Sequence, residues 1–322
     1  MSRSAFVTVL CIAATLPAGA QHRLLVLNKA DDTMSIVDPA AMKVVGTVPV
    51  GRGPHEAVAS ADGKTGYVAN YGDQQPNNSI SIVDIASMKE TRRVDLGALA
   101  RPHGMVENGG KIYFTSEATR TIARYDPAAD KVDWIAGTGQ TATHMLAVAK
   151  DGKRFYTANI GSDTVTILQV GPPTGGIWQV KVGKQPEAID LSPDGREVWV
   201  GQNGDGHISV IDTATRELKE TFKVGELPIR VKFTPDGKRV VVTDPKGNAV
   251  VVVDAATRKK VKRLEVDGVP LGIQMAPDGK RAYIARAQAG RVDALDLEKL
   301  EFVGSVETGN GPDGLAYAAA PG

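Results

Sequence analysis

The segment Gly183-Lys-Gln-Pro186-Glu187-Ala-Ile-Asp-Leu191-Ser192-Pro-Asp-Gly195-Arg-Glu197-Val-Trp-Val-Gly201 carries the pattern on which the fold turns. Two short runs rich in apolar residues flank Asp194-Gly195. Asp-Gly between such runs marks a hairpin, because a tight primed turn needs positive φ. A third run follows at His207–Ile211, ending in Asp212-Thr-Ala-Thr, and a fourth at Glu220–Val224. Gly225 then opens the next unit. Apolar spacing of 3.6 residues is not sustained anywhere, and the runs favour Val, Ile and Tyr, so strands are expected.

The same unit repeats along the chain. Its proline recurs at Pro54, Pro102, Pro186, Pro228, Pro270 and Pro312, with Thr143 standing in once, and the last three spacings are each 42 residues. The turn recurs at Asp62-Gly63, Asp151-Gly152, Asp236-Gly237 and Asp278-Gly279. Four antiparallel strands in about 42 residues is the period of a propeller blade. Six units begin at the residues named from Pro54 to Pro270. The seventh is split: one strand at Gly314–Ala318, and three at Arg23–Asn28, Met34–Asp38 and Val44–Val50. The expectation is an all-β, seven-bladed β-propeller over residues 21–322, closed by a blade shared between the two ends, which removes open sheet edges. Gly72–Ser79 lengthens a loop in the first blade, and Gly171–Gly176 lengthens one in the third.

Residues 1–20 read as a secretory leader. Arg3 supplies the positive start, Ala5 to Leu16 the apolar run, and Ala18-Gly19-Ala20 the cleavage site. The only cysteine, Cys11, lies inside it, so thiol chemistry is not expected in the mature chain. The product is expected in the periplasm or secreted, with no membrane anchor after cleavage. The 322 residues carry a formal net charge of +1. Loss of Arg3 brings this to zero, which argues against a nucleic-acid partner held through phosphates. The basic run Arg258-Lys-Lys-Val-Lys-Arg263 reads as a solvated face protecting an outer edge.

Gly66-Tyr67-Val68-Ala69-Asn70, Phe155-Tyr156-Thr157-Ala158-Asn159, Ser79-Ile-Ser-Ile-Val-Asp84 and His207-Ile-Ser-Val-Ile-Asp212 resemble the YVTN-repeat (YncE-like) seven-bladed propellers. The Pro-His starts and Asp-Gly turns are also similar to those of the seven-bladed lactonase propellers. Functions differ widely across these families, so the chemistry must come from the site.

In a blade the first strand begins, and the second ends, at the same mouth of the channel, because they run antiparallel. The residues after the repeated proline therefore form a ring: His55, His103, His144, Glu187, Ile229, Leu271 and Asp313. Three of the five histidines sit there in consecutive blades. With neighbours rotated by about 51°, the imidazoles and Glu187 converge on one side. Such a set suits a divalent transition metal (Zn, Fe or Cu) and leaves a position for water. Organic-ligand binding without metal, and plain hydrogen bonding within each blade, are the competing readings.

The ends of the second strands form a second ring: Asn28, Asn70, Ser116, Asn159, Gln202, Asp244 and Arg286. Asn70 and Asn159, which flank the histidine blades, and Asp313 of the first ring are candidate ligand-binding residues, although Asn at a strand end is ordinarily a turn former. Glu117 follows Ser116 directly and is expected over the same mouth as His103. Arg230 suits an anionic substrate group, or a salt bridge with Asp244 or Asp313. Two functions follow. One is a propeller that binds a small molecule, metal or protein at its channel mouth. The other, implied by the lactonase resemblance, is a hydrolase in which His144 or metal-bound water is the base. Glu187 or Glu117 then acts as acid or ligand, and Arg230 holds the substrate.

Overall fold

The computed structural model describes residues 22–172 and 175–319. The leader, Cys11 and the expected cleavage site lie outside them. The described chain is seven four-stranded antiparallel sheets. The inner strands of blades 1 to 7 are Pro54–Ala59, Pro102–Asn108, Thr143–Val148, Pro186–Leu191, Arg230–Phe233, Pro270–Met275 and Pro312–Ala318. The seventh blade closes the ring: Leu24 pairs with Tyr317, Leu25 with Ala316 and Val26 with Leu315, joining the two ends of the chain. No helix among the described residues is long and apolar enough to cross a membrane.

Burial explains the composition of each strand. The middle strands are covered on both faces by neighbouring blades, so they read as continuous apolar runs. Val240, Val241 and Val242 in Arg239–Asp244, and Val250, Val252 and Val253 in Ala249–Asp254, are fully buried. The outer strand of that blade, Lys260–Glu265, is almost wholly exposed and charged, which discourages edge pairing. Arg258 departs from the basic run around it. It lies against the Trp199 ring at 4.9 Å and pairs with Glu197 at 2.7 Å and Glu220 at 2.5 Å.

Three local departures from the sequence reading matter for the site. Gly72–Ser79 is a continuation of its hairpin rather than a loop: strands Thr65–Gly72 and Pro76–Asp84 extend until Gly72 pairs with Pro76. Blade 5 begins its inner strand at Arg230, two residues after Pro228. There the Asp244 carboxylate takes the amides of Glu226 (3.0 Å) and Leu227 (2.8 Å), which keeps the approach out of the ladder. Finally, the inner strands of the other six blades carry a register shift just after their start. In blade 1, Pro54 pairs with Asn70 and Glu56 with Ala69, so two steps on one strand meet one on the other. Such a bulge breaks the alternation of side chains.

Candidate metal centre at the channel mouth

The bulge turns both His55 and Glu56 towards the channel, while blades 2 and 3 deliver His103 and His144. The His55 and His103 ring centres lie 4.2 Å apart, those of His103 and His144 3.6 Å, and those of His55 and His144 6.4 Å. The three rings thus form an arc centred on His103. The backbones meet closely here: a Cβ on Gly104 would stand 2.6 Å from the Leu146 nitrogen, and one on Gly314 would collide with the His55 carbonyl.

Carboxylates clamp both ends of the arc. Asp313 Oδ2 is 3.1 Å from His55 Nδ1. Glu117 Oε2 and Glu187 Oε1 each lie 3.4 Å from one nitrogen of His144. These are charge contacts without hydrogen-bond alignment. His103 in the middle is 0% exposed, and neither of its ring nitrogens has a hydrogen-bond partner among the described residues. Tyr71 stands beside the arc. Its ring is 5.4 Å from both His55 and His103, and its hydroxyl donates to Glu117 Oε2 at 2.6 Å.

Arg230 spans the channel from blade 5. It donates to Glu56 Oε1 at 2.7 Å and stands 3.6 Å from Glu187 and 3.7 Å from Asp313. The structure therefore pairs Arg230 with protein carboxylates, Asp313 among them, and Asp244 serves the backbone instead. The Asn203 amide donates to Glu187 Oε2.

Burial and neighbours set the charge states. Burial depresses His55 to about 4, although Asp313 pulls the other way. Burial, then the neighbouring imidazoles, hold His103 well below the ordinary histidine value. Burial also works against charge on His144, but the flanking Glu117 and Glu187 overcome it and raise the group. Burial would lift Glu187 and Asp313, yet His144 and His55 respectively, with Arg230, hold both low. Burial raises Glu56 despite Arg230. Burial and the bond to Glu117 push Tyr71 to about 12. His55 and His103 are thus neutral donors at pH 7, the form a metal takes.

The second ring works differently. Asn70 and Asn159 are fully buried. The Asn70 amide donates to Ser79 (3.0 Å) and Ser81 (2.9 Å), and that of Asn159 to Thr164 (3.2 Å) and Thr166 (2.9 Å). Gly51, in the loop entering blade 1, passes so close to Asn70 that any Cβ there would collide with its side chain. These residues staple strands and entry loops together, one layer behind the histidines.

Sequence reasoning missed Glu56. The residue is legible in Pro54-His55-Glu56, but regular alternation would turn it away from His55, and only the bulge brings both to one place. Two cavities lie away from the mouth. One of about 700 Å³ is lined by Ser192, Glu197, Phe233 and Arg258, and one of about 870 Å³ by Asp267, Arg286 and Phe302.

Comparison with known proteins bears on the fold. A sequence profile described as "YNCE-like beta-propeller" matches residues 91–281. No curated protein matches the chain. Among solved structures, hydrazine synthase of Kuenenia stuttgartiensis is similar at 23% identity and a TM-score of 0.71, over 82% of this chain and 89% of that one. A functionally unknown protein from Desulfotomaculum acetoxidans matches at 13% identity and 0.77, over 93% and 99%. A proposed 6-phosphogluconolactonase from Bacteroides uniformis matches at 13% and 0.74, over 92% and 99%. At these identities the likeness establishes the propeller and leaves the chemistry to the residues.

Proposed function

The chain belongs to the YNCE-like β-propeller family, and from that premise we propose that it is a periplasmic or secreted binding propeller whose channel mouth holds a divalent transition metal at the histidine arc. The observation that carries this reading is His103, wholly buried with both nitrogens unpartnered. A buried polar group without a partner costs about 1–3 kcal/mol, and metal coordination converts that cost into binding. Glu56, Glu117, Glu187 and Asp313 bring four acidic groups to the arc, and Arg230, Lys29, Arg101 and Lys232 act on them from around it. The site is enclosed: His103 (0% exposed), Arg230 (4%) and Asp313 (4%) are all buried.

The test uses full-length protein purified without a histidine tag and stripped with chelator. Calorimetric titration with Zn²⁺ should give one ion per chain, and His103→Ala should weaken it by at least about tenfold. Absence of binding, or binding indifferent to His103→Ala, overturns the reading.

One feature favours a second reading, hydrolysis of a lactone or ester at the His55, His103, His144 and Glu187 cluster. His144 is held between two carboxylates, the arrangement of an oriented acid–base group. A lactone and ester screen with and without chelator decides it. Activity abolished by His144→Ala supports hydrolysis, and inactivity on all substrates leaves binding alone.

A further inference from the structure

We propose that the ion is held by His55, Glu56 and His103, a two-histidine, one-carboxylate set with coordination positions left over, and that the site is therefore built for six-coordinate Fe²⁺ rather than for closed tetrahedral zinc. This rests on the metal reading above and names its ligands and metal class.

One ring nitrogen of each histidine and one Glu56 oxygen all lie within 4.8 Å of one another. Bonds of about 2.1 Å place donors on one octahedral face about 3 Å apart, so the three atoms need only draw together around an ion. Among the described residues no other three such donors come this close together, and the other nearby groups face charged or hydrogen-bonding neighbours of their own. Both His144 nitrogens face carboxylates at 3.4 Å, and its ring is 6.4 Å from that of His55. One Glu187 oxygen faces His144 and Arg230, and the other accepts from Asn203. The Tyr71 hydroxyl is donated to Glu117. Asp313 serves His55 and Arg230.

Three ligands then remain, two neutral imidazoles and one carboxylate. That set with open positions is the coordination preferred by non-haem ferrous iron, whereas structural zinc closes its fourth position with a protein ligand. The arrangement around the triad fits. Arg230 fixes one Glu56 oxygen at 2.7 Å, and Asp313 sits 3.1 Å from the His55 Nδ1, so both ligands are oriented from behind. Arg230 and Asp313 are positioning residues on this account.

Two measurements on the full chain test the inference. Cobalt-loaded protein should show the weak visible bands of five- or six-coordination. Glu56→Gln should lower Co²⁺ affinity by at least about tenfold, and Glu187→Gln by less than about threefold. An intense tetrahedral spectrum, or equal losses from the two variants, overturns it. Should Glu56→Gln fail to fold, the wild type still decides: anaerobic Fe²⁺ protein exposed to nitric oxide should give the spin-3/2 iron–nitrosyl signal of an open site. Iron-loaded protein silent in that experiment overturns the proposal. Zinc bound through other ligands would sink this inference alone, whereas failure to bind Zn²⁺, Co²⁺ or Fe²⁺ would sink the metal reading as well.

Discussion

The two sides of the channel mouth share a backbone plan and differ in what they place on it. Immediately after the repeated proline, blades 1 to 4 present His55, His103, His144 and Glu187, while blades 5 and 6 present Ile229 and Leu271. One layer back the sides are alike. Asn70 and Asn159 staple their blades with amide bonds, Asp244 does so with backbone amides, and the Arg286 guanidinium reaches Asp293 at 2.5 Å. The back layer is therefore the price of building any blade, and the front layer is where this chain departs from its own repeat. Arg230 joins the halves, leaving the apolar side to neutralise carboxylates on the histidine side.

That contrast breaks most visibly at Arg230. Arg230→Met leaves Glu56, Glu187 and Asp313 around no guanidinium, and about 3–5 kcal/mol of stability should be lost in chemical denaturation. Ile229→Val next to it, at a half-buried position, should cost less than about 1 kcal/mol. Equal costs would mean that the charged bridge has no special role.

Acid should weaken the metal-free protein through the histidine side. His55 in the fold titrates near 4, below its ordinary value, so the unfolded chain binds the extra proton first. Stability should fall as pH drops from about 6.5 to about 4, by on the order of 3 kcal/mol from this group. The depressed Asp313 carboxylate adds a loss in the same direction as it protonates. Denaturation midpoints across this range should show a shallower slope in His55→Gln; an unchanged slope would exclude His55 as the source.

Smaller effects sharpen the division between layers. Asn70→Ala should cost about 1–3 kcal/mol by removing a buried amide that donates to Ser79 and Ser81, with metal affinity changed by less than about threefold. A large affinity loss without a stability loss would move Asn70 into the front layer. Least of all, Tyr71→Phe should cost about 0.5–1.5 kcal/mol, the worth of its bond to Glu117, and leave the ion in place.

The fold was legible because blade geometry writes itself into spacing. Proline and Asp-Gly recur at fixed intervals, and the split seventh blade followed from counting; Arg23–Asn28 was placed to the residue. The convergence of the three histidines was legible for the same reason. What the spacing does not encode is the bulge, a local rearrangement that adds Glu56 to the histidine side. Nor does it settle competition for a charge: Arg230 reads equally as an anion holder or as a partner of Asp244 or Asp313 until the strands bring Glu56, Glu187 and Asp313 around it. The second-ring asparagines were ambiguous because an amide that caps a turn and one that binds a ligand look alike until Ser79, Ser81, Thr164 and Thr166 are seen to receive them.

Crystals grown with Fe²⁺ under anaerobic conditions and measured on either side of the iron absorption edge give the most direct test. One anomalous peak is expected at the channel mouth, about 2.1–2.3 Å from a nitrogen of His55, a nitrogen of His103 and an oxygen of Glu56. A fully grown data set with no peak among these three residues, or with iron only on the outer surface of the blades, would contradict the account.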